Sequence, residues 1–408
     1  MRIVILTQYY LPEIGAPQTR LAALARELIA RGHAVEVVTA MPHHLVGRVY
    51  KGYRGKVYLR EMVDGVRVHR TWVYAASGTG FRRILNYLSF TITSLIGLAL
   101  TASPDVVFVE SPPLFLSIPG WIAARVRGAS MVFNVADLWP DSVRELGVMS
   151  DGWMLRFAER LEAWSYRRAD IVNAVTAGID RTLREKKSVP ALKVRFFPNG
   201  IDVTTFFPRE PDQRLLRQLR LEGRPVFLYA GTHGIAQGLQ NVIEAAKIVE
   251  GDANVLFVGS GPTKAMLMDK AKRIGASNVR FLDPVPLSVM PDYFALATAS
   301  IVPLVRGDLM RGARPSKIFP SLACAVPVIY SGEGESAELL TEAGAGIAVP
   351  PEDPRAIAGA MLALINDLTL RETMALNARR LAVERFAWSS IVGTWLCSID
   401  VDPHTVVA

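Results

Sequence analysis

With 408 residues, half of them hydrophobic, the chain has more apolar side chains than one core usually holds, and we expect two domains. Only two cysteines are present, Cys324 and Cys397, which argues against a disulfide framework and against a cysteine-based zinc site. The net charge of +8 is uneven, since residues 1–200 contain 26 Lys and Arg against 16 Asp and Glu and the remainder is slightly acidic.

The basic first half indicates an anionic partner, for which nucleic acid and an anionic membrane surface are the candidates. The sequence has no zinc finger, RNA-binding sheet motif or basic heptads, so we do not expect nucleic acid. Met1 leads directly into a strand pattern rather than into a basic and then apolar leader, and we therefore expect no secretion.

Strands and helices alternate along the first half. Apolar strand patterns at 3–6 and 34–39 enclose a helical pattern with Leu21, Leu24 and Leu28 on one face, which predicts a parallel βαβ unit. The loop before this helix lacks the spacing Gly-x-Gly-x-x-Gly, which argues against a dinucleotide site there. Further strands are predicted at 57–60 and 66–70, joined as a hairpin by an Asp-Gly turn, and at 106–109, 131–135 and 171–175.

Arg82 and Arg83 precede a run without charged residues from 84 to 104, which reaches the lower limit of length for a membrane span. The run contains polar residues such as Asn86 and Ser94, and strand and helix patterns continue directly on both sides of it. We therefore predict a helix that packs in the first domain and is partly exposed to a membrane surface, rather than a span.

Two carboxylates, Glu110 and Asp137, stand where predicted strands end. Ligands of open α/β sheets bind beyond the carboxyl ends of the strands, so both residues are site candidates. The alternative role for each is helix capping or a place in an ordinary loop.

The second half is organised around residues 226–249. An apolar strand pattern at 226–230 is followed by a turn with Gly231, Gly234 and Gly238, and then by a helical pattern from Leu239. Such a turn directs backbone N–H groups and the positive end of a helix dipole at one point, where a diphosphate could bind. An ordinary strand-to-helix connection is equally compatible with the pattern.

The alternation continues, with strands predicted at 225–230, 254–258, 278–281, 299–303 and 326–329. A second glycine turn, with Gly259 and Gly261, follows one of these strands, and a third loop at 306–315 leads to Lys317. Loops at the ends of neighbouring parallel strands converge on one cleft, in which Lys317 could neutralise a phosphate. A linker is predicted at 206–211 and a final helix at 387–399.

Several segments together carry a family resemblance. They lie at 10–16, 31–35, 137–140 (Asp-Leu-Trp-Pro), 198–202 (Pro-Asn-Gly-Ile-Asp), 230–234, 237–239, 259–262 and 315–319 (Pro-Ser-Lys-Ile-Phe). With these segments in this order along nearly the whole chain, it resembles the family 4 glycosyltransferases of the GT-B fold. It is most similar to the bacterial enzymes of O-antigen, colanic acid and exopolysaccharide assembly.

The resemblance implies an α/β GT-B fold in which two Rossmann-like, doubly wound domains face a cleft. Residues 1–205 would bind the acceptor, residues 206–385 would bind the nucleotide-sugar donor, and 386–408 would form a helix crossing back to the first domain. It implies retaining transfer from a UDP- or GDP-linked sugar, without a cofactor or a required metal, to a glycan or lipid-linked acceptor. The implied setting is bacterial surface polysaccharide biosynthesis by a cytoplasmic protein associated peripherally with the inner membrane.

The resemblance also assigns roles to single residues. Asp137 matches a cleft carboxylate and Lys317 a basic residue near the diphosphate, and these two are the catalytic candidates. The donor-binding candidates are Gly15, Gly231, Thr232, His233, Gly234, Gln237, Gly259, Gly261, Arg311 and Glu335. The leaving diphosphate needs preorganised hydrogen-bond donors, which backbone N–H groups and Lys317 would supply together with Arg311.

The donor site departs from the family pattern in two places. Many members have Arg and Lys where this chain has His233 and Gln237, which puts more weight on Lys317. Members often have two glutamates where this chain has Gly312 and Pro320, and the second glutamate usually holds the donor ribose. The hypothesis is that a carboxylate of the next loop compensates for this loss, namely Glu333, Glu335 or Glu338; the alternative is a solvated turn and helix start.

Two other functions stay open at the level of the sequence. A GT-B epimerase or hydrolase of sugar nucleotides needs no acceptor, and the basic first half argues against it. A non-catalytic, donor-binding partner of another transferase has Pro320 as its only support.

Overall fold

The computed structural model describes residues 1–13, 15–43, 47–76, 81–141, 144 and 152–399. These residues divide into two units. Unit 1 comprises Met1–Asn199 and the chain from Ile391, and unit 2 comprises Gly200–Ser390. The acceptor and donor roles that the sequence suggests for the two domains stay predictions.

Unit 1 is built on one eight-stranded sheet. In chain order its elements are β1 (Arg2–Leu6), α1 (Ala16–Ala30), β2 (Ala34–Ala40), β3 (Tyr58–Val63), β4 (Val66–Thr71), α2 (Phe81–Ala99), β5 (Val106–Ser111), α3 (Ser117–Arg127), β6 (Ser130–Val135), α4 (Trp153–Arg168), β7 (Ile171–Ala174), α5 (Ala177–Glu185) and β8 (Val194–Phe196). The strand order is β3-β4-β2-β1-β5-β6-β7-β8, and only β3 and β4 are antiparallel. Strands β1, β5 and β6 are almost wholly buried, as expected of parallel strands covered on both faces.

The strand order decides which face of the sheet each helix covers. The step from β1 to β2 crosses the sheet in one direction, whereas the steps from β4 through β5 and β6 to β7 cross it in the other. Because crossovers between parallel strands are right-handed, α1 lies on one face and α2, α3 and α4 lie on the opposite face. Helix α3 packs against both α2 and α4, and we call these three helices the α2–α4 layer.

Unit 2 is built on a six-stranded, wholly parallel sheet. Its elements are α6 (Gln213–Leu219), β9 (Val226–Ala230), α7 (Leu239–Ile248), β10 (Asn254–Val258), α8 (Lys264–Arg273), β11 (Val279–Leu282), α9 (Met290–Ala295), β12 (Ala299–Pro303), α10 (Asp308–Arg311), α11 (Ile318–Ala323), β13 (Val328–Ser331), α12 (Glu335–Glu342), β14 (Gly346–Val349), α13 (Pro354–Asn366) and α14 (Leu368–Leu381). The strand order is β11-β10-β9-β12-β13-β14, so the direction of winding changes between β9 and β12. Open α/β sheets bind ligands at such a switch point.

The last helix, α15 (Trp388–Ile399), belongs to unit 1 from Ile391 onward. Trp395 is fully buried in that unit, where its ring lies edge-on to Phe108. Its indole N–H donates a hydrogen bond to the side-chain oxygen of Asn173 at 3.1 Å. The predicted return of the C-terminal helix to the first domain is therefore confirmed.

The strands predicted from the sequence are all present, with small shifts of their ends, and so is the β3–β4 hairpin with its Asp64-Gly65 turn. The sequence does not predict β8 and β14, which have three and four residues. The uncharged run forms α2, which packs on β2 and β4 as expected. Within the described ranges, no helix combines the length and the hydropathy needed to cross a bilayer.

Candidate functional site

Two glycine loops meet at the carboxyl edge of the unit 2 sheet, residues 231–238 after β9 and 259–262 after β10. The His233 N–H donates to the carbonyl oxygen of Ser260 at 2.9 Å. In return, the N–H and the hydroxyl of Thr263 both donate to the carbonyl oxygen of His233. The two loops thus form one continuous backbone surface.

Gly259 and Gly261 are glycines because the two loops approach each other so closely. Gly259 has a φ of +146°, which L side chains rarely adopt, and a methyl group there would overlap the carbonyl group of Gly231. A methyl group at Gly261 would overlap the carbonyl group of His233. Backbone packing accounts for both glycines, and their part in donor binding stays a prediction.

Lys317 lies beside the first glycine loop, one residue before α11. Its aliphatic stem covers Gly231, and its Nζ is 5.9 Å from the ring centroid of Tyr229. Burial lowers the pKa of the Lys317 ammonium below its ordinary value. Among the described residues, no carboxylate forms an ion pair with it. A partly buried cation without a counter-charge favours the binding of an anion.

The side chain of His233 lies beneath the same loop and is completely buried. It packs among three aromatic rings, those of Tyr229, Phe257 and Phe281. Neither ring nitrogen has a hydrogen-bond partner within the described part of the chain. Burial, reinforced by the charges of Lys264 and Lys317, lowers the pKa of this imidazole to about 4. His233 is therefore neutral at pH 7 and does not take the place of a cationic side chain.

The rest of the first loop leads into α7. Thr232 is exposed, and its carbonyl oxygen accepts a hydrogen bond from the hydroxyl of Tyr229. The side chain of Gln237 lies over Gly234, where a methyl group would overlap it. Gly238, with a φ of +56°, then begins α7, so the first N–H groups of this helix lie at the same edge of the sheet.

Three arginines of the third loop form ion pairs with glutamates of the segment that follows β13. Arg311 and Arg306 both form ion pairs with Glu333, at 3.0 and 3.4 Å. Glu335 forms an ion pair with Arg314, and both of these side chains are largely buried. A ribose would have to compete with an arginine for the Glu335 carboxylate, and the donor-binding roles of Arg311 and Glu335 stay predictions.

At the carboxyl edge of the unit 1 sheet, a buried carboxylate pairs with a buried arginine. Glu110, at the end of β5, is buried and forms an ion pair with Arg20 of α1. The amide of Asn134 donates to the second carboxylate oxygen at 2.9 Å, and Arg20 also donates to the side chain of Asn199 at 2.7 Å. Burial raises the pKa of Glu110, and its partners oppose that shift. These contacts join α1 to the sheet, and sequence reasoning missed Arg20 because nothing local links it to a carboxylate 90 residues away.

Asp137 and Gly15 also lie at the carboxyl edge of the unit 1 sheet. Asp137 is exposed just beyond β6, and its carbonyl oxygen accepts a hydrogen bond from the Trp139 N–H at 3.0 Å. Gly15 directly precedes α1 in extended backbone, and the amide of Gln18 occupies the place of a side chain there. The roles that the sequence suggests for Asp137 and Gly15 in a cleft stay predictions.

The part of the chain that the structure describes contains no candidate set of metal ligands. No three His, Cys, Asp or Glu side chains are grouped there as ligands. The expectation that the reaction requires no metal is untested and stays a prediction.

Two family models match the chain, one in each unit. The model described as a glycosyl transferase 4-like domain matches residues 15–200, and the model described as glycosyl transferases group 1 matches residues 224–367. Together they span nearly all of the two sheets described above, including both glycine loops and Lys317.

Similar proteins support the same assignment. The Escherichia coli K12 protein WcaI, whose name proposes a glycosyl transferase of colanic acid biosynthesis, is 29% identical over 380 residues, which are 90% of this chain and 92% of that protein. Sucrose-phosphate synthase from Thermosynechococcus elongatus has a TM-score of 0.75 at 18% identity, and the match covers 98% of both chains. Anabaena HepE in complex with UDP has a TM-score of 0.72 at 16% identity, over 98% of this chain and 99% of that one. The two structural matches show a shared fold.

Proposed function

We propose, from the premise that this chain belongs to the family 4-like glycosyltransferases of the GT-B fold, that its donor is a nucleotide sugar bound at the glycine loops of unit 2. The acceptor is a lipid-linked glycan of bacterial surface polysaccharide assembly. The transfer retains the configuration of the anomeric carbon. The protein acts at the cytoplasmic face of the inner membrane, to which it binds peripherally.

The observation that carries this proposal is Lys317 beside the first glycine loop. The group that leaves a nucleotide sugar is a diphosphate, and negative charge develops on it as the bond to the sugar breaks. The partly buried Lys317 side chain lies against Gly231, and the loop that starts at Gly231 leads to the first N–H groups of α7, so these groups can stabilise that charge without reorganising. The acceptor hydroxyl then attacks the anomeric carbon from the face that the diphosphate leaves.

Calorimetric titration of the purified protein with UDP, GDP, ADP and NAD tests the donor site. We expect UDP or GDP to bind and NAD not to bind, and the UDP complex of HepE makes UDP the first nucleotide to try. Lys317→Met keeps the apolar stem but removes the charge, and it should lower diphosphate affinity about 10- to 100-fold. Lys272→Met, at an exposed lysine of α8, is the matched control and should leave the affinity unchanged. If no diphosphate binds, the proposed donor site is wrong.

Turnover tests the rest of the proposal. The protein is incubated with the nucleotide sugar of the base that binds, together with lipid-linked glycans extracted from bacterial membranes, and the product is examined by NMR. Retention predicts the same anomeric configuration in the donor and in the product. An inverted product would exclude the retaining mechanism, and donor breakdown that does not depend on acceptor would favour a hydrolase.

A further inference from the structure

Helix α2 exposes a stripe of apolar side chains, while its buried side mixes polar residues with the core residues Phe90 and Leu98. Its buried side carries hydrogen-bonded polar residues, namely Asn86, Thr91 and Ser94. Its outer side carries a stripe of exposed apolar residues at helical spacing, namely Leu85, Leu88, Ile92, Leu95 and Ile96, and Ile92 is 68% exposed. A helix on the surface of a globular protein normally presents charged or polar side chains on its outer side. The stripe runs for about 17 Å along the helix axis.

The start of α4 adds further apolar residues to the same helical layer. Trp153 and Phe157 are 73% and 52% exposed, and Met154 between them is exposed as well. Single exposed apolar side chains are ordinary, but eight of them on two helices of one layer mark an interaction surface. Trp153 is notable because an exposed tryptophan leaves a large apolar area in water.

The charge on the α2–α4 layer is strongly one-sided. Its eight arginines are Arg82, Arg83, Arg125, Arg127, Arg156, Arg160, Arg167 and Arg168, and six of them are exposed. Its two acids are already paired, since Glu162 is buried against Lys187 and Glu159 contacts Arg144. The outer surface of the layer therefore combines apolar side chains with uncompensated positive charge.

Helix α5 shows that these features are specific to the α2–α4 layer. By the handedness of its crossover, α5 lies on the same face of the sheet. It carries two arginines and two acids, and none of its large apolar residues is exposed. The apolar and basic surface is thus a property of the three helices and not of the whole side of unit 1.

We infer that the outer surface of the α2–α4 layer is the face with which unit 1 docks on a bilayer rich in anionic lipid. The apolar stripe of α2 lies along the bilayer surface with its side chains at the boundary between headgroups and acyl chains. Trp153 occupies the headgroup level, and the arginines reach the lipid phosphates. The inference rests on the proposed function, because the lipid-linked acceptor of that function lies in the bilayer on which the layer would dock.

A second copy of this chain is a poorer occupant of this face. A two-fold interface brings the same patch of both copies together, so the six exposed arginines of one copy would meet those of the other. Like charges brought together in this way oppose association. Anionic phospholipids supply the counter-charge that a second copy lacks.

Flotation of the purified full chain with lipid vesicles tests the inference without any donor or acceptor. We expect strong binding to phosphatidylcholine vesicles that contain about 30% phosphatidylglycerol, weak binding to pure phosphatidylcholine, and loss of binding in high salt. Equal binding to the two kinds of vesicle would contradict the role of the arginines.

Paired substitutions locate the docking face. Arg156→Gln with Arg160→Gln should lower the partition coefficient about 30-fold, from about five-fold per arginine. Arg214→Gln with Arg217→Gln removes the same charge from exposed positions of α6 in unit 2 and should leave binding nearly unchanged. Equal losses in both pairs would mean that net charge alone drives binding, and the inference would be wrong.

The apolar contribution is tested in the same way. Trp153→Ser with Phe157→Ser should lower the partition coefficient about ten-fold or more, because both rings lose their burial in the bilayer. Leu376→Ser, at a residue of α14 in unit 2 that is 74% exposed, is the control and should bind as the unmodified protein does. Unchanged binding of the Trp153 and Phe157 pair would overturn the inference.

Two further measurements separate the possible failures. Sedimentation equilibrium reveals whether the unmodified protein is a dimer that the Trp153 and Phe157 pair dissociates, in which case the layer is a protein interface and the inference is wrong. UDP titration of each variant shows whether unit 2 is intact. Flotation without nucleotide binding would overturn the proposed donor site and leave the docking face standing. Nucleotide binding without flotation would overturn the docking face, together with the proposed peripheral binding to the membrane, and leave the donor site standing.

Discussion

The carboxyl edges of the two sheets differ in whether their buried charged groups have a partner of opposite charge. In unit 1, Glu110 is buried against Arg20 and accepts a hydrogen bond from Asn134. In unit 2, Lys317 is partly buried next to a glycine loop and a helix start, and no carboxylate in the described residues pairs with it. Groups that satisfy each other hold a fold together, whereas a desolvated charge without a partner is available to a ligand.

This difference suggests a structural role for the edge of unit 1 and a ligand-binding role for the edge of unit 2. The polar network of unit 1 positions α1 against the sheet, although its residues occupy the place where ligands of such sheets bind. At the edge of unit 2, the proposed function assigns the Lys317 ammonium to the diphosphate. A carboxylate at the end of a strand is therefore a weaker indication of a site than an unpaired charge at the same place.

The largest expected effect is on the unit 1 network. Glu110→Gln leaves the Arg20 guanidinium buried without a counter-charge, and it should lower the free energy of unfolding by about 3–5 kcal/mol. Urea denaturation followed by circular dichroism measures the change. Glu185→Gln, at an exposed position of α5, is the control. If Glu110→Gln loses no more stability than the control, Glu110 is not a structural residue, and the proposed contrast between the two sheet edges is wrong.

A smaller effect is expected where the two glycine loops meet. Gly261→Ala places a methyl group on the carbonyl group of His233, so the loops must separate, at a cost of about 1–3 kcal/mol of stability. Because the first loop also borders Lys317, affinity for the diphosphate should fall as well. Denaturation and nucleotide titration measure the two losses.

Gly251→Ala serves as the control for that substitution, because a methyl group there meets no neighbouring atom. If Gly261→Ala loses stability and keeps its full affinity, the join between the loops is needed for the fold and not for the site.

The smallest effect at neutral pH is expected from His233→Phe. The ring nitrogens have no partner in the described residues and the surroundings are aromatic, so stability at pH 7 should change by about 1 kcal/mol or less. The effect appears in acid. Because the folded protein holds the pKa of His233 near 4, only the unfolded chain takes up the proton between pH 6.5 and pH 4, and stability falls across that window.

The His233→Phe variant should lose this part of the pH dependence. Denaturation curves at pH 7 and pH 5 provide the measurement, with His33→Phe, at a partly buried histidine, as the control. An identical dependence in the variant and in the unmodified protein would mean that His233 does not titrate as its burial requires. A loss of nucleotide affinity at pH 7 would instead show that the ring itself supports the site.

Much of the fold could be predicted because its signals are local. The strand at 226–230, the glycine turn and the helix from Leu239 are each visible within a few residues, and the structure places β9, the loop and α7 there. The hairpin of β3 and β4 follows from its Asp-Gly turn in the same way. Lys317 stood out because it follows the third loop, and it lies beside the first glycine loop in the structure.

The contacts of the candidate site could be predicted only in part, because partners far apart in the chain leave no local signal. The pairing of Arg314 with Glu335 and of Arg311 with Glu333 engages residues that the sequence offered as donor ligands. Likewise, the sequence offered Gly261 as a donor-binding residue, and only the structure shows that contact with the carbonyl group of His233 already requires a glycine there.

The sequence by itself determined the alternating elements, the two domains, the family, and the position of the basic charge in the first half. Only the tertiary structure decided which charges are neutralised and which face of each helix meets water. The uncharged run at 84–104 shows why: its composition predicts a packed helix, but the packing on β2 and β4 decides that Asn86 and Ser94 are buried together with Phe90 and Leu98, while Ile92 and Ile96 are exposed. Local patterns fix secondary structure, whereas the strand order fixes which side chains meet.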